Sequence, residues 1–502
     1  RYPNGRIPKS GEVGMPRASV QAFLTEIELQ LGASCLKTDP DLISTHLIDW
    51  RGRYQGRAPA VLFPGSTDQV AQVVRLAARH RVGLVPQGGN TGLTGASVPD
   101  GSGDQVVLSL TKLQAIRAVD AANKTMTLEA GVTLAKAQDE AEALGLLFPL
   151  TLPSRGSATI GGNLATNCGG TAVLRYGNAR ALCLGLEVVT ATGEIWSGLR
   201  GLRKDNTGYD LRDLFIGSEG TLGVITAAVL ALSPKPAALM TALARVPSVE
   251  SAVGLLGLAQ EKAAAQLTGF EFMTKSALAL VSQYFPALAQ PIQGMGSADL
   301  VLLEISSPTG EAEAVGLLED ILSEAFETGL VEDALVAQSI QQAQTFWDIR
   351  DHITLASSED GHQIKHDIGL PISCIPDFMV SMHEELEALL PGTRIINFGH
   401  LGDGNLHYNL ACPINPNVWS DRNQRHEACK QFMQTLEEEA HHRVHNRVVS
   451  LGGSISAEHG LGVMRRDEAA RYKGPVEMGL MRSIKTALDP LNILNPGKVV
   501  LV

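Results

Sequence analysis

Apolar residues first recur with a helical period in PGSTDQVAQVVRLAARHRVGLVPQGG, where Val70, Val73, Val74, Ala77 and Ala78 fall on one face. Ser66 or Thr67 stands where a cap is needed, and a short buried strand at Gly83 to Pro86 runs into a glycine-rich turn. TLAKAQDEAEALG repeats the pattern of cap and amphipathic helix, then leads through LLFPLTLPSRG to another turn. Residues 16–60 read as helical and irregular. The two prolines of LSPKPAALM interrupt the pattern and predict a boundary near residue 235. Beyond it, helices at about 248–264, 311–327, 376–389 and 424–450 alternate with strand-like runs such as ADLVLLEIS and TRIINFGH. That alternation predicts an α+β chain whose second half is an antiparallel sheet covered by helices. The expected units are 15–235, 236–455 and a small helical segment 456–502 whose tail, DPLNILNPGKVVLV, ends in turn chemistry and a short strand.

Composition narrows the function. The 502 residues are 44% hydrophobic and 19% charged, a globular balance long enough for a large core and an internal ligand site. No apolar run approaches the ~18 residues of a membrane span. A net charge of −12 removes the general attraction that drives non-specific nucleic-acid binding. The six cysteines are scattered without a C-x-x-C pair and read as reduced thiols. The polar, Gly/Pro-rich residues 1–14 precede Met15 and read as vector-derived, with no export signal after them, which predicts a cytoplasmic protein.

Three glycine-rich stretches lie in the first half: Gln87 to Gly92, Gly161 to Gly170 and Gly217 to Gly223. Successive amides in such turns form anion-binding concavities, and missing β-carbons let a pyrophosphate approach. One such loop is ordinary turn chemistry; three in one unit point to a dinucleotide. None fits G-x-G-x-x-G, G-x-x-x-x-G-K-[ST] or G-x-S-x-G. The stretches PQGGNTGLTGAS, PSRGSATIGGNLATNCGG and GSEGTLGVIT, with the closing NPGK, resemble the vanillyl-alcohol-oxidase (PCMH) type of FAD-binding fold from about residue 45 onward. The resemblance implies FAD between two α+β subdomains, contacted by Gln87, Gly88, Gly89, Asn90, Thr91, Gly92, Leu93, Pro153, Ser157, Gly161, Gly162, Asn167, Gly220, Ile225 and Asn495. The first loop holds no histidine for covalent attachment, so the FAD is expected to be non-covalent. Cys168 reads as packing in a flavin loop.

Eleven of the thirteen histidines lie between His352 and His459. INFGHLGDGNLHYNL reads as a hairpin around Asp403-Gly404, which puts His400 opposite His407 and Phe398 opposite Asn409. Opposed side chains have Cβ atoms ~4.5–5.5 Å apart, within reach of one metal ion. Glu458-His459 offers a third ligand, and two histidines with a carboxylate suit Zn²⁺ as well as Mn²⁺, Fe²⁺ or Co²⁺. His441 and His445 are four apart on a helix among Glu437, Glu438, Glu439, Arg443 and Arg447, and read as a solvated face rather than a second metal site.

With Arg350, Thr354, Lys365 in KHDIGLP, GHLGDGNLHYN and SAEHGLG, the chain is similar to the flavin-dependent D-2-hydroxyacid dehydrogenases. That resemblance implies His400, His407 and Glu458 as metal ligands, Zn²⁺ first, and His459 as the base. It implies substrate contacts from Arg350, Thr354, Lys365, Asn409 and His459. The expected reaction is oxidation of D-2-hydroxyglutarate, with D-malate second, and transfer of electrons to an electron-transfer flavoprotein or a quinone. A homodimer is left open. The alternatives are a D-lactate or glycolate dehydrogenase of the same fold, a non-catalytic flavin-binding subunit, and a transferase of the alkyl-glycerone-phosphate synthase type.

Overall fold

A computed structural model describes residues 17–413 and 421–502, so the reading of residues 1–14 lies outside the described residues. The first amphipathic stretch is the helix Thr67–His80, with the Ser66 hydroxyl accepting the Gln69 N–H at its start and Val70, Val73, Val74 and Ala77 buried. The strand Gly83–Gln87 follows and lies parallel to Gln105–Ser109, which also pairs in parallel with Val61–Leu62. Leu36–Lys37 completes this four-stranded sheet. A five-stranded antiparallel sheet stands beside it, ordered Ile116–Asp120, Thr125–Glu129, Val224–Ala231, Cys183–Val189 and Ile195–Gly198. One apolar core joins the two, running from Val20 to Leu232 and including Ile493 and Leu494 from the C-terminal end. The expected strand of the tail is a single parallel bridge between Leu84 and Leu494.

After the Ser233–Pro234 strand, the chain enters an eight-stranded sheet. Its order is Asp333–Val336, Ala238–Val246, Asp299–Ser307, Leu267–Met273, Arg394–Gly399, Asn405–Ala411 and Gln363–Ile364, with Asp367–Gly369 also on Asn405–Ala411. Every pairing in it is antiparallel. Val301, Leu303 and Ile305 face one core while Leu300 and Leu302 face another, the two-residue period of a strand buried on both sides. Helices Val249–Ala263, Glu311–Glu327, Ile375–Leu389 and Glu437–Ser450 cover the first face. Lys275–Tyr284 and Ile340–Asp360 cover the second.

Two expectations are corrected. The helix expected over 424–450 is two, Arg422–Gln434 and Glu437–Ser450, because the chain turns at Thr435 and sends Leu436 into the core. The hairpin register differs by two residues: Phe398 faces His407 and Ile396 faces Asn409. Asp403-Gly404 is not a two-residue turn; Leu401–Asp403 form one 3₁₀ turn that ends at Gly404, with φ +83°. His400 therefore leaves the strand. A slip of two keeps His407 and Asn409 on their expected common face, where a slip of one would have inverted it.

The C-terminal helix Pro475–Leu488 is tied in by Lys485, whose ammonium is buried. It donates to Asp489 Oδ2 at 2.5 Å and to the Thr221 and Leu494 carbonyls, fastening the tail to the third glycine loop. Lys485→Met leaves the Asp489 carboxylate buried without its cation, so urea unfolding should show a loss of about 3–5 kcal/mol. A change within about 0.5 kcal/mol, the range of an ordinary surface substitution, would contradict this anchoring.

Candidate active site

A cavity of about 1740 Å³ lies between the glycine loops and the eight-stranded sheet. It exceeds the ~300–1,000 Å³ of a small-molecule site, leaving space for a dinucleotide and a substrate together. Gln87 to Leu93, Pro153, Ser157, Gly161, Gly162, Gly220 and Ile225 line it, as do Arg350, Thr354, Lys365, Asn409, His400, His407, Glu458 and His459. Asn167 and Asn495 do not. Asn167 accepts the Arg180 N–H, and Asn495 donates to the Ala96 and Glu219 carbonyls, so they brace the loops from behind.

The loops fit a pyrophosphate-bearing group. A β-carbon at Gly88 would stand 2.2 Å from Thr159 Oγ1, and one at Gly89 1.9 Å from the Ser157 carbonyl oxygen. Only glycine lets these two loops touch. The N–H groups of Gly88 to Leu93, residues that line the cavity, donate to no backbone acceptor among the described residues, which leaves these donors available to an anionic ligand. Cys168 is packed there; burial pushes its thiol pKa up, so it is no thiolate.

At the far end, a carboxylate absent from the sequence reading organises the wall. Glu271 sits in the fully buried strand LTGFEFM, accepts Arg350 Nε–H at 2.7 Å and His400 Nδ1–H at 2.6 Å, and is 1% exposed. Burial pushes its pKa up, but the Arg350 and His400 charges more than offset that and hold it below its ordinary range. A lone carboxylate between the two phenylalanines of LTGFEFM was the available signal. Arg350 is thus a buried group on a fixed mount, not a solvated arginine, and its Nη2 lies 3.2 Å from His400 Nε2.

The Glu458 carboxylate reaches 3.9 Å from His400 Nε2 and 3.7 Å from His407 Nε2. An ion with bonds of ~2.1 Å at tetrahedral angles needs donors ~3.4 Å apart, so small torsions complete the set. His400 already gives its other ring N–H to a carboxylate, the arrangement that orients a metal-bound imidazole. Burial above all pushes the His407 pKa down, which favours the neutral ring that ligation requires.

His459 has its own carboxylate. Asp367 Oδ2 lies 3.1 Å from His459 Nδ1 and accepts the backbone N–H groups of Glu458 and His459. Glu219 in the third glycine loop accepts those of Leu461 and Gly462, and the Thr94 carbonyl accepts that of Val463. The His459 segment is therefore clamped between the glycine loops and the sheet. Burial pushes Glu219 up to about 7, against the lowering by its two N–H partners.

Lys365 enters from the strand edge. Burial, then the nearby Arg51, bring its pKa down to about 8. Arg51, which also lines the cavity, escaped the sequence reading because it lies in the irregular segment ahead of the helix Thr67–His80. The reading of His441 and His445 as a solvated face is overturned. His445 is fully buried, and His441 Nδ1 lies 2.9 Å from His366 Nε2. The helix turns these two inward because its other face carries the Glu and Arg side chains to solvent.

Residues 235–499 match the family described as FAD linked oxidases, C-terminal domain, and residues 58–198 match the FAD binding domain family. A probable D-2-hydroxyglutarate dehydrogenase, mitochondrial, of Oryza sativa subsp. indica is 37% identical over 93% of this chain and 80% of its own length. D-2-hydroxyglutarate dehydrogenases of Rattus norvegicus and Stutzerimonas stutzeri are 35% and 33% identical, over 99% and 95% of this chain and 87% and 98% of their own. Among solved structures, an alkyldihydroxyacetonephosphate synthase superposes with a TM-score of 0.71 at 18% identity, covering 97% of this chain and 86% of that one. A p-cresol methylhydroxylase gives 0.71 at 17% identity, covering 97% and 98%. These structural likenesses establish the fold.

Proposed function

This chain belongs to the FAD linked oxidases and, within them, to the flavin-dependent D-2-hydroxyacid dehydrogenases; from that premise we propose that it oxidises D-2-hydroxyglutarate, with D-malate as second substrate, to the 2-oxoacid. One observation carries the reading: the glycine loops, the His400/His407/Glu458 set, His459, Arg350 and Lys365 all open into one cavity.

FAD on the glycine loops would supply the hydride acceptor. Zn²⁺ on His400, His407 and Glu458 would acidify the substrate hydroxyl. The protein's own part is positioning and proton transfer. Asp367 holds the Nδ1 side of His459, leaving Nε2 to take the hydroxyl proton and stabilising the imidazolium that results. Arg350, held through Nε by Glu271, presents its Nη groups to the carboxylate beside the reacting carbon. Thr354 and Asn409 add hydrogen bonds from the wall. Lys365 and Arg51 take the distal carboxylate. A dicarboxylate is favoured over lactate or glycolate because Lys365 carries no acidic partner of its own among the described residues; the groups acting on it are burial and another cation. Electrons then pass to an electron-transfer flavoprotein or a quinone. No helix among the described residues is long and apolar enough to cross a membrane, and we place the protein in the cytoplasm.

The test is anaerobic bleaching of the bound flavin. D-2-hydroxyglutarate and D-malate should bleach metal-replete protein rapidly, and L-2-hydroxyglutarate, D-lactate and glycolate should not. No bleaching by any of them would support the non-catalytic or transferase readings, and bleaching by D-lactate or glycolate alone would support the rival dehydrogenase. The pH profile adds a second check. Lys365 is positive below its pKa of about 8 and loses that charge above it. Since kcat/KM reports the free enzyme, kcat/KM for D-2-hydroxyglutarate should fall as pH rises through about 8, relative to a 2-hydroxyacid lacking the distal carboxylate. Parallel profiles for the two substrates would remove Lys365 from distal-carboxylate binding.

A further inference from the structure

Beside the substrate wall, and reaching the cavity through His366, lies a second cluster that the proposed chemistry does not use. His366 comes from the segment between the strands Gln363–Ile364 and Asp367–Gly369, and His441 and His445 come from the helix Glu437–Ser450. One potential ligand atom from each lies within 4.8 Å of the other two. His445 is 0% exposed and His366 1%, and neither ring nitrogen of His445 has a hydrogen-bond partner.

The proton count exposes the problem these rings have on their own. His366 Nδ1 is 2.8 Å from the Tyr408 carbonyl oxygen, so it carries the proton and leaves Nε2 as a lone pair. His441 Nδ1, 2.9 Å away, must then donate to that lone pair. A neutral His441 so arranged turns its Nε2 lone pair toward Glu437 Oε1, an acceptor 3.5 Å away. His445 Nδ1 faces Glu468 Oε1 at 3.4 Å without a hydrogen bond, and its Nε2 has nothing. Buried unsatisfied polar atoms are costly, and the deficit falls on His441 and His445.

We propose that His366, His441 and His445 bind a second divalent transition-metal ion, Zn²⁺ in the resting protein, separate from the site of His400, His407 and Glu458. With an ion in the cluster, His366 Nε2, His441 Nδ1 and His445 Nε2 become ligands. The outer nitrogens then donate to the Tyr408 carbonyl, Glu437 and Glu468, each the carbonyl or carboxylate partner usual for a metal-bound imidazole. Three imidazoles and a water satisfy tetrahedral Zn²⁺, whose donors stand ~3.4 Å apart: the 2.9 Å His366–His441 pair opens slightly, and the other donor distances, all within 4.8 Å, close toward that value. Burial pushes the pKa values of His366 and His445 down, which keeps those rings in the neutral, ligating form. The consequence is mechanical. The ion staples the helix Glu437–Ser450 to His366, whose chain neighbours Lys365 and Asp367 face the cavity.

The experiment counts metal. FAD-loaded protein is stripped with a chelator, dialysed against Zn²⁺, freed of loose ion and analysed for zinc per chain. The wild type should hold two ions, Glu458→Gln one, and His441→Asn one. His445→Asn should also hold one, and His441→Asn, at a half-buried position, covers the case in which that buried change prevents folding. A Glu458→Gln protein with no zinc, or a His441→Asn protein that still holds two, would overturn the proposal. If instead the wild type holds one, Glu458→Gln keeps it and His441→Asn loses it, the histidine cluster stands and the metal of the proposed reaction falls.

Discussion

A carboxylate placed where the surrounding strand is wholly buried is the constraint on which the reactive end of this protein depends. Glu271 has no water to solvate it, so Arg350 and His400 must supply its charge partners. That requirement joins three elements distant in sequence: the strand Leu267–Met273, the helix Ile340–Asp360 and the loop after Arg394–Gly399. Removing one member of such a group leaves another charge buried and unpaired, which makes the arrangement self-enforcing. A second carboxylate, Asp367, does the same for His459, and a third, Glu219, pins the following backbone to the glycine loop. Arg350 and His459, two of the groups proposed to touch substrate, are thus each held by a carboxylate that need not touch it.

Such rigid mounting suits the proposed reaction. Removing a hydroxyl proton while hydride leaves the adjacent carbon requires base, carboxylate clamp and acceptor to be aligned together, and misplacement by about an ångström can cost about 100-fold. The fold meets this by clamping the Glu458–Gly462 segment from both sides, with Asp367 on the sheet side and Glu219 and Thr94 on the loop side.

Legibility from sequence followed the physics of each signal. The helix Thr67–His80 and the strands Asp299–Ser307 and Arg394–Gly399 were legible because a helical period and unbroken apolar runs are written directly in residue order. The glycine loops were legible because close approach admits no other residue, as at Gly88 and Gly89. His400, His407, Glu458 and His459 were singled out, yet the hairpin register was two residues off, since a 3₁₀ turn at Leu401–Asp403 replaces the two-residue turn that Asp403-Gly404 suggests. What escaped were the groups whose meaning depends on distant partners. Glu271, Asp367 and Glu219 acquire theirs from residues dozens to hundreds of positions away. His441 and His445 sit amid charged neighbours that mark the helix as solvated, but only the packed sheet shows which face looks inward.

The most direct measurement of the account is the rate of anaerobic flavin reduction by D-2-hydroxyglutarate in Glu271→Gln, with flavin and metal content determined on the same sample. If Glu271 mounts Arg350 and His400, the variant should keep its flavin while metal affinity falls about 10–100-fold and reduction slows with it. A Glu271→Gln protein that retains its metal and reduces flavin at the wild-type rate would contradict the claim that this buried carboxylate organises the site.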